Sequence, residues 1–222
     1  MAQRQLRAAD GYAFGVYESL PPGDPKGGVV VIQEIFGVNA HIREVADGFA
    51  AAGYAALAPA LFDRAERGVE LGYDAEGMSR GRDLAFAQLP REEALRDLQA
   101  TVEEAGKYGK VGVVGYCYGG LMAWLSACHL DGIDCVSAYY GGGIAGALDT
   151  APKCPVIMHF GELDAHIPMS DVDRIAGAFP DVPVHVYPAD HGFNCDHRES
   201  YHAESAAQAR ERTIGLFRDR LG

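Results

Sequence analysis

One stretch of the chain, Gly115-Tyr-Cys117-Tyr-Gly119-Gly120, has the residue types of a nucleophile elbow in which cysteine replaces serine. The glycines two positions either side of the cysteine let a strand turn sharply into a helix, where larger side chains collide. The start of that helix directs free N–H groups and a partial positive charge at the sulfur, which favours the thiolate. The pattern predicts a nucleophile at Cys117; the alternative is a buried structural cysteine in a glycine-rich turn.

A thiol nucleophile needs a base, and the base needs an orienting partner. His191 follows the last predicted strand, and Asp164 follows an earlier one, in preference to its neighbours Glu162 and His166. The chain order Cys117, Asp164, His191 is nucleophile, acid, base, the order found in α/β-hydrolases. We therefore predict a catalytic triad, although a loop histidine or a turn aspartate taken singly has an ordinary structural explanation.

A second arrangement uses His197-Arg-Glu199, because a cysteine elbow followed later by H-x-E resembles class I glutamine amidotransferases. The segment from Asp196 is, however, predicted to open a helix with no strand directly before it. This arrangement also leaves Asp164 and His191 without a role. The sequence therefore favours the triad that contains His191.

Alternating strands and helices are predicted to position these residues. Strands are predicted at 11–20, 28–32, 54–61, 135–140, 155–160 and 184–187, with a further β-type run from residue 111 into the cysteine elbow. Helices are predicted at 41–52, 91–108, 170–179 and 200–221, with a further apolar helix that follows the elbow and ends at residue 130. The polar segment 63–89 is predicted to be irregular and to lie at the mouth of the site. This alternation predicts the α/β-hydrolase fold, a mostly parallel sheet flanked by helices on both faces, in a single domain spanning residues 1–222.

Composition and charge argue against several other functions. The net charge of −12 disfavours nucleic acid and anionic membranes, which bind basic surfaces. No apolar run has the length of a membrane span, and the N-terminus lacks the apolar stretch of a secretory signal, so a cytoplasmic location is expected. The five cysteines lack CxxC spacing, and no cluster of histidine, cysteine and aspartate has ligand spacing. We therefore expect free thiols, no metal and no cofactor, in a monomer or small homo-oligomer.

The ordered combination of motifs resembles the dienelactone hydrolase (carboxymethylenebutenolidase) family. The motifs are the cysteine elbow, Gln33-Glu34-Ile35-Phe36-Gly37, the Gly-Glu-Leu-Asp that ends at Asp164, and the His-Gly-Phe that begins at His191. The resemblance runs from about residue 11 to the C-terminus. It implies hydrolysis of a small-molecule lactone or activated ester through a thioester on Cys117, in the degradation of aromatic compounds.

The resemblance also implies roles for three residues near the nucleophile. Glu34 occupies the place of a glutamate that contacts the thiol in the resting enzymes of the family. Ile35 and Tyr118 occupy the places whose backbone N–H groups form the oxyanion hole. The alternative for Glu34 is a hydrogen bond to a loop.

Arginines are the point at which the sequence departs from the family pattern. Family members hold a substrate carboxylate with one arginine before the nucleophile and one four residues after the histidine; here the later place holds Cys195. Arg198 lies nearby, and Arg80 and Arg82 are candidates for the earlier arginine. A solvated helix charge is the alternative explanation of each.

Three functions are therefore compatible with the sequence. The first is a dienelactone-type hydrolase, and the second is an esterase or thioesterase for another activated carbonyl compound. The third is a non-enzymatic module, for binding or redox sensing, that uses Cys117 on the same fold. The presence of all the residues needed for catalysis disfavours the third.

Overall fold

The computed structural model describes residues 2–222 and is built on one mixed β-sheet. Its strands are β1 (Ala2–Arg7), β2 (Ala13–Ser19), β3 (Gly28–Ile32), β4 (Ala55–Pro59), β5 (Val111–Tyr116), β6 (Cys135–Tyr139), β7 (Val156–Gly161) and β8 (Val184–Tyr187). The order across the sheet is β1-β2-β4-β3-β5-β6-β7-β8. Strands β3 to β8 are parallel, whereas β1 and β2 run antiparallel at one edge. The predicted mostly parallel sheet is confirmed.

Helices cover both faces of the sheet. They are α1 (Ala40–Ala51), α2 (Ala75–Asp83), α3 (Arg91–Ala105), α4 (Tyr118–His129), α5 (Met169–Ala178) and α6 (Ala203–Leu221). Helix α3 packs against α4, and Phe49 of α1 contacts Phe217 of α6. Because each strand from β3 onward is followed by a connection that crosses a face of the sheet, the carboxyl ends of the parallel strands meet along one edge.

The centre of the molecule is formed by β3, β5 and α4. Every residue of the two strands is buried, as are all residues of α4 except His129. A helix that is apolar on all sides needs cover on all sides, and here the sheet and α3 supply part of it. The indole N–H of Trp124 also donates a 2.7 Å hydrogen bond to the Ala147 carbonyl. The helix that follows the nucleophile is therefore firmly held.

Three segments differ from the sequence prediction. Strand β1 was not predicted; it pairs with β2 at the edge of the sheet. The segment 63–89, predicted to be irregular, contains α2 and a π-helical turn at Leu84–Gln88. Asp74 caps α2 by accepting a 2.7 Å hydrogen bond from the Gly77 N–H. An aspartate at this position is a typical start of a helix, but the polar composition of the segment led to the prediction of irregular structure.

The segment predicted to open a helix at Asp196 instead forms turns, and α6 begins only at Ala203. The His202 side chain caps this helix by accepting from the Ser205 N–H. Elsewhere the predicted elements match the observed ones to within a few residues. Within the part of the chain that the structure describes, no helix has the length and apolar composition needed to cross a membrane.

Candidate active site

Cys117 lies at the sharp turn between β5 and α4, with a backbone φ of 57° that non-glycine residues rarely adopt. The glycines around it are required by close contacts. A Cβ on Gly115 would lie 1.8 Å from the Gly119 carbonyl oxygen, and one on Gly119 would lie 2.4 Å from the Ile32 carbonyl oxygen. The predicted strand–turn–helix geometry of the elbow is therefore present, and its strain is retained by the packing of α4.

His191 and Asp164 come from the loops that follow β8 and β7, and both reach Cys117. The Nε2 of His191 lies 3.2 Å from the Cys117 Sγ, and its Nδ1 lies 2.7 Å from Oδ2 of Asp164. The other carboxylate oxygen of Asp164 accepts from the N–H groups of His166 and Ile167, at 2.8 and 3.2 Å. The aspartate is thus fixed in place, and it orients the imidazole toward the sulfur.

The charges and hydrogen bonds around His191 favour the protonated form of its imidazole. Burial lowers the pKa of His191, but negative charge at Cys117 and the hydrogen bonds to Asp164 and Cys117 outweigh it and raise the pKa from 6.5 to about 10. Burial acts against the charged form of Asp164 as well and so raises the pKa of this carboxyl. The hydrogen bond from His191 and those from the backbone outweigh burial and bring the pKa of Asp164 below its usual value. The hydrogen bonds of His191 to Asp164 and to the Cys117 sulfur therefore favour the imidazolium form of His191.

Glu34 follows β3 and is completely buried, but its surroundings differ from those implied by the family resemblance. Neither carboxylate oxygen of Glu34 forms a hydrogen bond with any described residue, so the implied contact with the thiol is not made. The thiol faces His191 instead. The nearest opposite charge to Glu34 is Arg198, whose Nη1 lies 3.6 Å from Oε1.

Ile35 and Tyr118 both line the cleft beside Cys117. Tyr118 is the first residue of α4, where a backbone N–H has no acceptor within the helix. Ile35 stands one residue beyond Glu34 on the loop from β3. The structure therefore brings the two residues predicted for the oxyanion hole to the side of the nucleophile.

A cleft of about 530 Å³ opens over Cys117 and His191. Its wall combines apolar side chains such as Phe86 with arginines, among them the predicted Arg82 and Arg198. Arg80 is not in this wall; it is half-exposed and forms an ion pair with Glu66, which follows from its place on the outer side of α2. Of the two arginines proposed on α2, only one therefore reaches the cleft.

Three cleft or near-cleft residues were not assigned a role from the sequence. Arg91 lines the cleft as the first residue of α3. A cation at the start of a helix is unfavourable because it opposes the helix dipole, and this unfavourable position is the feature of the sequence that could have indicated a role for Arg91. His166 also lines the cleft and contacts the His191 ring edge-on at 5.3 Å. Tyr140 has a φ of 34° and packs 5.1 Å from the His191 ring, and no sequence pattern marked it.

The sheet, the elbow and the order of the three loops define an α/β-hydrolase, as the comparison with known proteins bears out. The family model described as "Dienelactone hydrolase family" matches residues 14–221, and the chain belongs to this family of hydrolases.

Relatives and solved structures agree with this assignment. The chain is 39% identical over 213 residues to a Synechocystis protein named "Putative carboxymethylenebutenolidase", covering 87% of this chain and 86% of that protein. It is 34% identical over 222 residues to the "Carboxymethylenebutenolidase" of Pseudomonas putida, covering 96% and 94%. A crystal structure from Klebsiella pneumoniae, named "Putative Dienelactone Hydrolase", superposes with a TM-score of 0.81 at 30% identity, covering 98% of each chain.

Proposed function

We propose that this protein hydrolyses a lactone or another activated ester of the dienelactone type through a thioester on Cys117. The observation that carries the proposal is the continuous chain of contacts from Sγ of Cys117 through His191 to the buried Asp164, at the base of a cleft. Membership of the dienelactone hydrolase family supports the reaction class.

In the first half-reaction the Cys117 thiolate attacks the carbonyl carbon of the substrate. The carbonyl oxygen becomes an oxyanion, and the backbone N–H groups of Ile35 and Tyr118 stabilise it; each such donor is worth ~10²–10³ in rate. Collapse of this intermediate breaks the bond to the leaving oxygen. The departing enolate or alkoxide takes a proton from the His191 imidazolium, which leaves a thioester and a neutral imidazole.

In the second half-reaction the neutral His191 removes a proton from water. The hydroxide oxygen attacks the thioester carbonyl, and collapse expels the Cys117 thiolate as the carboxylic acid product forms. His191 is again protonated, and the ion pair of the resting site is restored. Asp164 holds the imidazole in one orientation through both steps.

A cysteine nucleophile limits the range of substrates. Because a thiolate is itself a good leaving group, a tetrahedral intermediate with a poor leaving alkoxide returns to the starting ester. A dienelactone releases a stabilised enolate and avoids this return. We therefore infer that activated esters and lactones are hydrolysed and peptides are not.

The arginines of the cleft support an anionic substrate. Arg82, Arg91 and Arg198 line the same cavity as Cys117, although the net charge of the chain is −12. They provide local positive charge for a substrate carboxylate where the family position after the histidine holds the buried Cys195. Glu34 takes part by holding Arg198 rather than by contacting the thiol.

Steady-state hydrolysis of cis- and trans-dienelactone and of p-nitrophenyl acetate tests the proposal. Cys117→Ala and His191→Ala are expected to lose at least ~10⁴ in kcat/KM. Cys154→Ala is the matched control, because Cys154 is half-buried and lies outside the cleft. Mass spectrometry of the His191→Ala protein after mixing with p-nitrophenyl acetate should detect an acyl group on Cys117.

The other two candidate functions give different results in the same assays. A different activated substrate is indicated if only p-nitrophenyl acetate is hydrolysed and both variants are inactive. A non-enzymatic module is indicated if Cys117 is alkylated readily but no ester is turned over. Hydrolysis that persists in Cys117→Ala contradicts the mechanism.

A further inference from the structure

Two histidines and two carboxylates form a group outside the catalytic cleft. His41 and Glu44 lie on α1, and Asp196 and His197 lie on the loop that follows His191. The Nε2 of His197 is 2.7 Å from Oε2 of Glu44 and 3.9 Å from Oδ1 of Asp196, which is 3.3 Å from Nδ1 of His41. One donor atom from each of the four lies within 4.8 Å of every other.

His41 provides a second and independent observation. It is 3% exposed, and its Nε2 is buried without a hydrogen-bond partner among the described residues. On its inner side a second group brings a ring nitrogen of His41 within 4.8 Å of donor atoms of Glu34 and Cys195. The Glu34 carboxylate also has no hydrogen bond. The buried Nε2 of His41 and the buried carboxylate of Glu34 therefore both lack a hydrogen bond, whereas Nδ1 of His41 pairs with Asp196.

We propose that His41, Glu44, Asp196 and His197 bind a divalent transition-metal ion, with Zn²⁺ the best match. Mixed imidazole and carboxylate donors suit Zn²⁺, whereas Mg²⁺ and Ca²⁺ prefer oxygen donors. Tetrahedral Zn²⁺ with bonds of ~2.0–2.1 Å places its donors roughly 3.3 Å apart. The side chains of Glu44 and Asp196 are 57% and 59% exposed, so they are free to close the remaining distance to the fixed His41.

Binding of the metal at Nδ1 would determine which ring nitrogen of His41 carries the proton. A histidine that ligates a metal through one nitrogen carries its proton on the other and usually donates it to a carboxylate or carbonyl. With Nδ1 on the metal, His41 carries its proton on Nε2, and a small movement of the Glu34 side chain would let its unpaired carboxylate accept a hydrogen bond from that N–H. The two carboxylates at the metal also neutralise its charge.

The proposed metal site lies between α1 and the loop that follows His191, so metal binding should affect the structure there. The metal joins α1 to the loop that carries both His191 and Arg198, so it fixes the segment on which the catalytic base is displayed. Because a ligand that binds only the folded state stabilises it by mass action, Zn²⁺ raises the melting temperature. This inference does not depend on the proposed reaction.

Binding should be measured on the full chain in a Cys117→Ser background, which removes the competing thiolate of the catalytic cleft. After treatment with a chelator, titration with Zn²⁺ alone should show one equivalent bound and a rise in melting temperature. His197→Ala and Glu44→Gln should each weaken binding at least tenfold. His129→Ala is the matched control, because His129 is an exposed histidine on α4 and should bind Zn²⁺ like the parent protein.

Two further measurements complete the test, one of Co²⁺ binding and one of Zn²⁺ binding to a variant of Glu34. Co²⁺ should give a tetrahedral visible spectrum without a thiolate charge-transfer band, and Glu34→Gln should weaken Zn²⁺ binding about tenfold. The proposal is overturned by the absence of stoichiometric Zn²⁺ binding or by unchanged binding in both His197→Ala and Glu44→Gln. A thiolate band also overturns it, since Cys195 would then be a ligand.

Discussion

The Nη1 of Arg198 lies 3.6 Å from Oε1 of Glu34, and the two side chains form an ion pair without a hydrogen bond. Glu34 is completely buried, and the Arg198 guanidinium also lies over the rings of Phe36 and Tyr73, 5.8 and 5.6 Å from their centres. A buried carboxylate depends strongly on a nearby opposite charge. Arg198 therefore compensates the charge of Glu34 at the same time as it lines the cleft over Cys117 and His191.

Replacement of Arg198 by methionine is expected to lower the free energy of unfolding by about 3 kcal/mol, since it leaves the Glu34 charge buried and uncompensated. The double variant Glu34→Gln/Arg198→Met should be less destabilised than the sum of the two single variants. Arg82→Met is the control and should change stability by less than about 0.5 kcal/mol, because that side chain is exposed. Urea unfolding measures all four; strict additivity in the double variant would contradict the coupling.

The arginines of the cleft should bind the negative charge of an anionic substrate. Arg82→Met and Arg91→Met are each expected to raise KM for the anionic dienelactones about tenfold, since a hydrogen bond to a charged group contributes ~1.5–3 kcal/mol. KM for neutral p-nitrophenyl acetate should stay within about twofold. Arg80→Met is the matched control, because Arg80 pairs with Glu66 outside the cleft. An equal change for both substrates would indicate a general distortion of the site instead.

His191 should remain protonated well above neutral pH. Its pKa of about 10 depends on negative charge at Cys117, so NMR titration of the ring should show an imidazolium at about pH 8 in the wild type. In Cys117→Ser the pKa of His191 should fall toward its usual value, since the hydroxyl carries no charge. A ring that titrates near pH 6.5 in both proteins would rule out the ion pair.

The same pKa shifts determine how stability depends on pH. Because folding raises the pKa of His191 from 6.5 to about 10, its contribution is fully present below pH 6.5 and is lost as pH rises toward 10. Folding lowers the pKa of Asp164, so its contribution is present above 3.8 and is lost as pH falls further. The stability difference between wild type and His191→Gln should therefore narrow between about pH 6 and about pH 9.5 in chemical unfolding experiments.

The elbow should not tolerate a side chain at Gly115. Gly115→Ala places a Cβ 1.8 Å from the Gly119 carbonyl oxygen, so we expect a loss of at least about 3 kcal/mol of stability together with loss of activity. Gly215→Ala is the matched control in α6, where no atom outside the adjacent backbone of the helix lies within 4 Å of the new Cβ. It should raise stability by about 0.5–1 kcal/mol, because alanine favours the helix. Thermal unfolding and ester hydrolysis distinguish the two; similar behaviour would disprove the steric argument.

Local steric and periodic patterns were sufficient to predict the framework of this protein. The apolar runs of β3 and β5 are buried on both faces and read as strands without ambiguity. The glycine at position 115 avoids a clash with the Gly119 carbonyl only four residues away, so this part of the elbow could be read directly from the chain, whereas Gly119 avoids Ile32 on a neighbouring strand. The order of Cys117, Asp164 and His191 could be read as well, because parallel strands deliver successive loops to one edge of the sheet.

Side-chain partners across distant loops were decided only by the tertiary structure. Arg80 and Arg82 are two residues apart on α2, yet one points to Glu66 and the other into the cleft, a choice made by the packing of the helix. Glu34 meets Arg198, and His41 meets His197, through a loop whose turns the sequence had suggested were helical. Contacts between residues far apart in the chain depend on how the loops pack against the folded sheet, and no local sequence pattern encodes that packing.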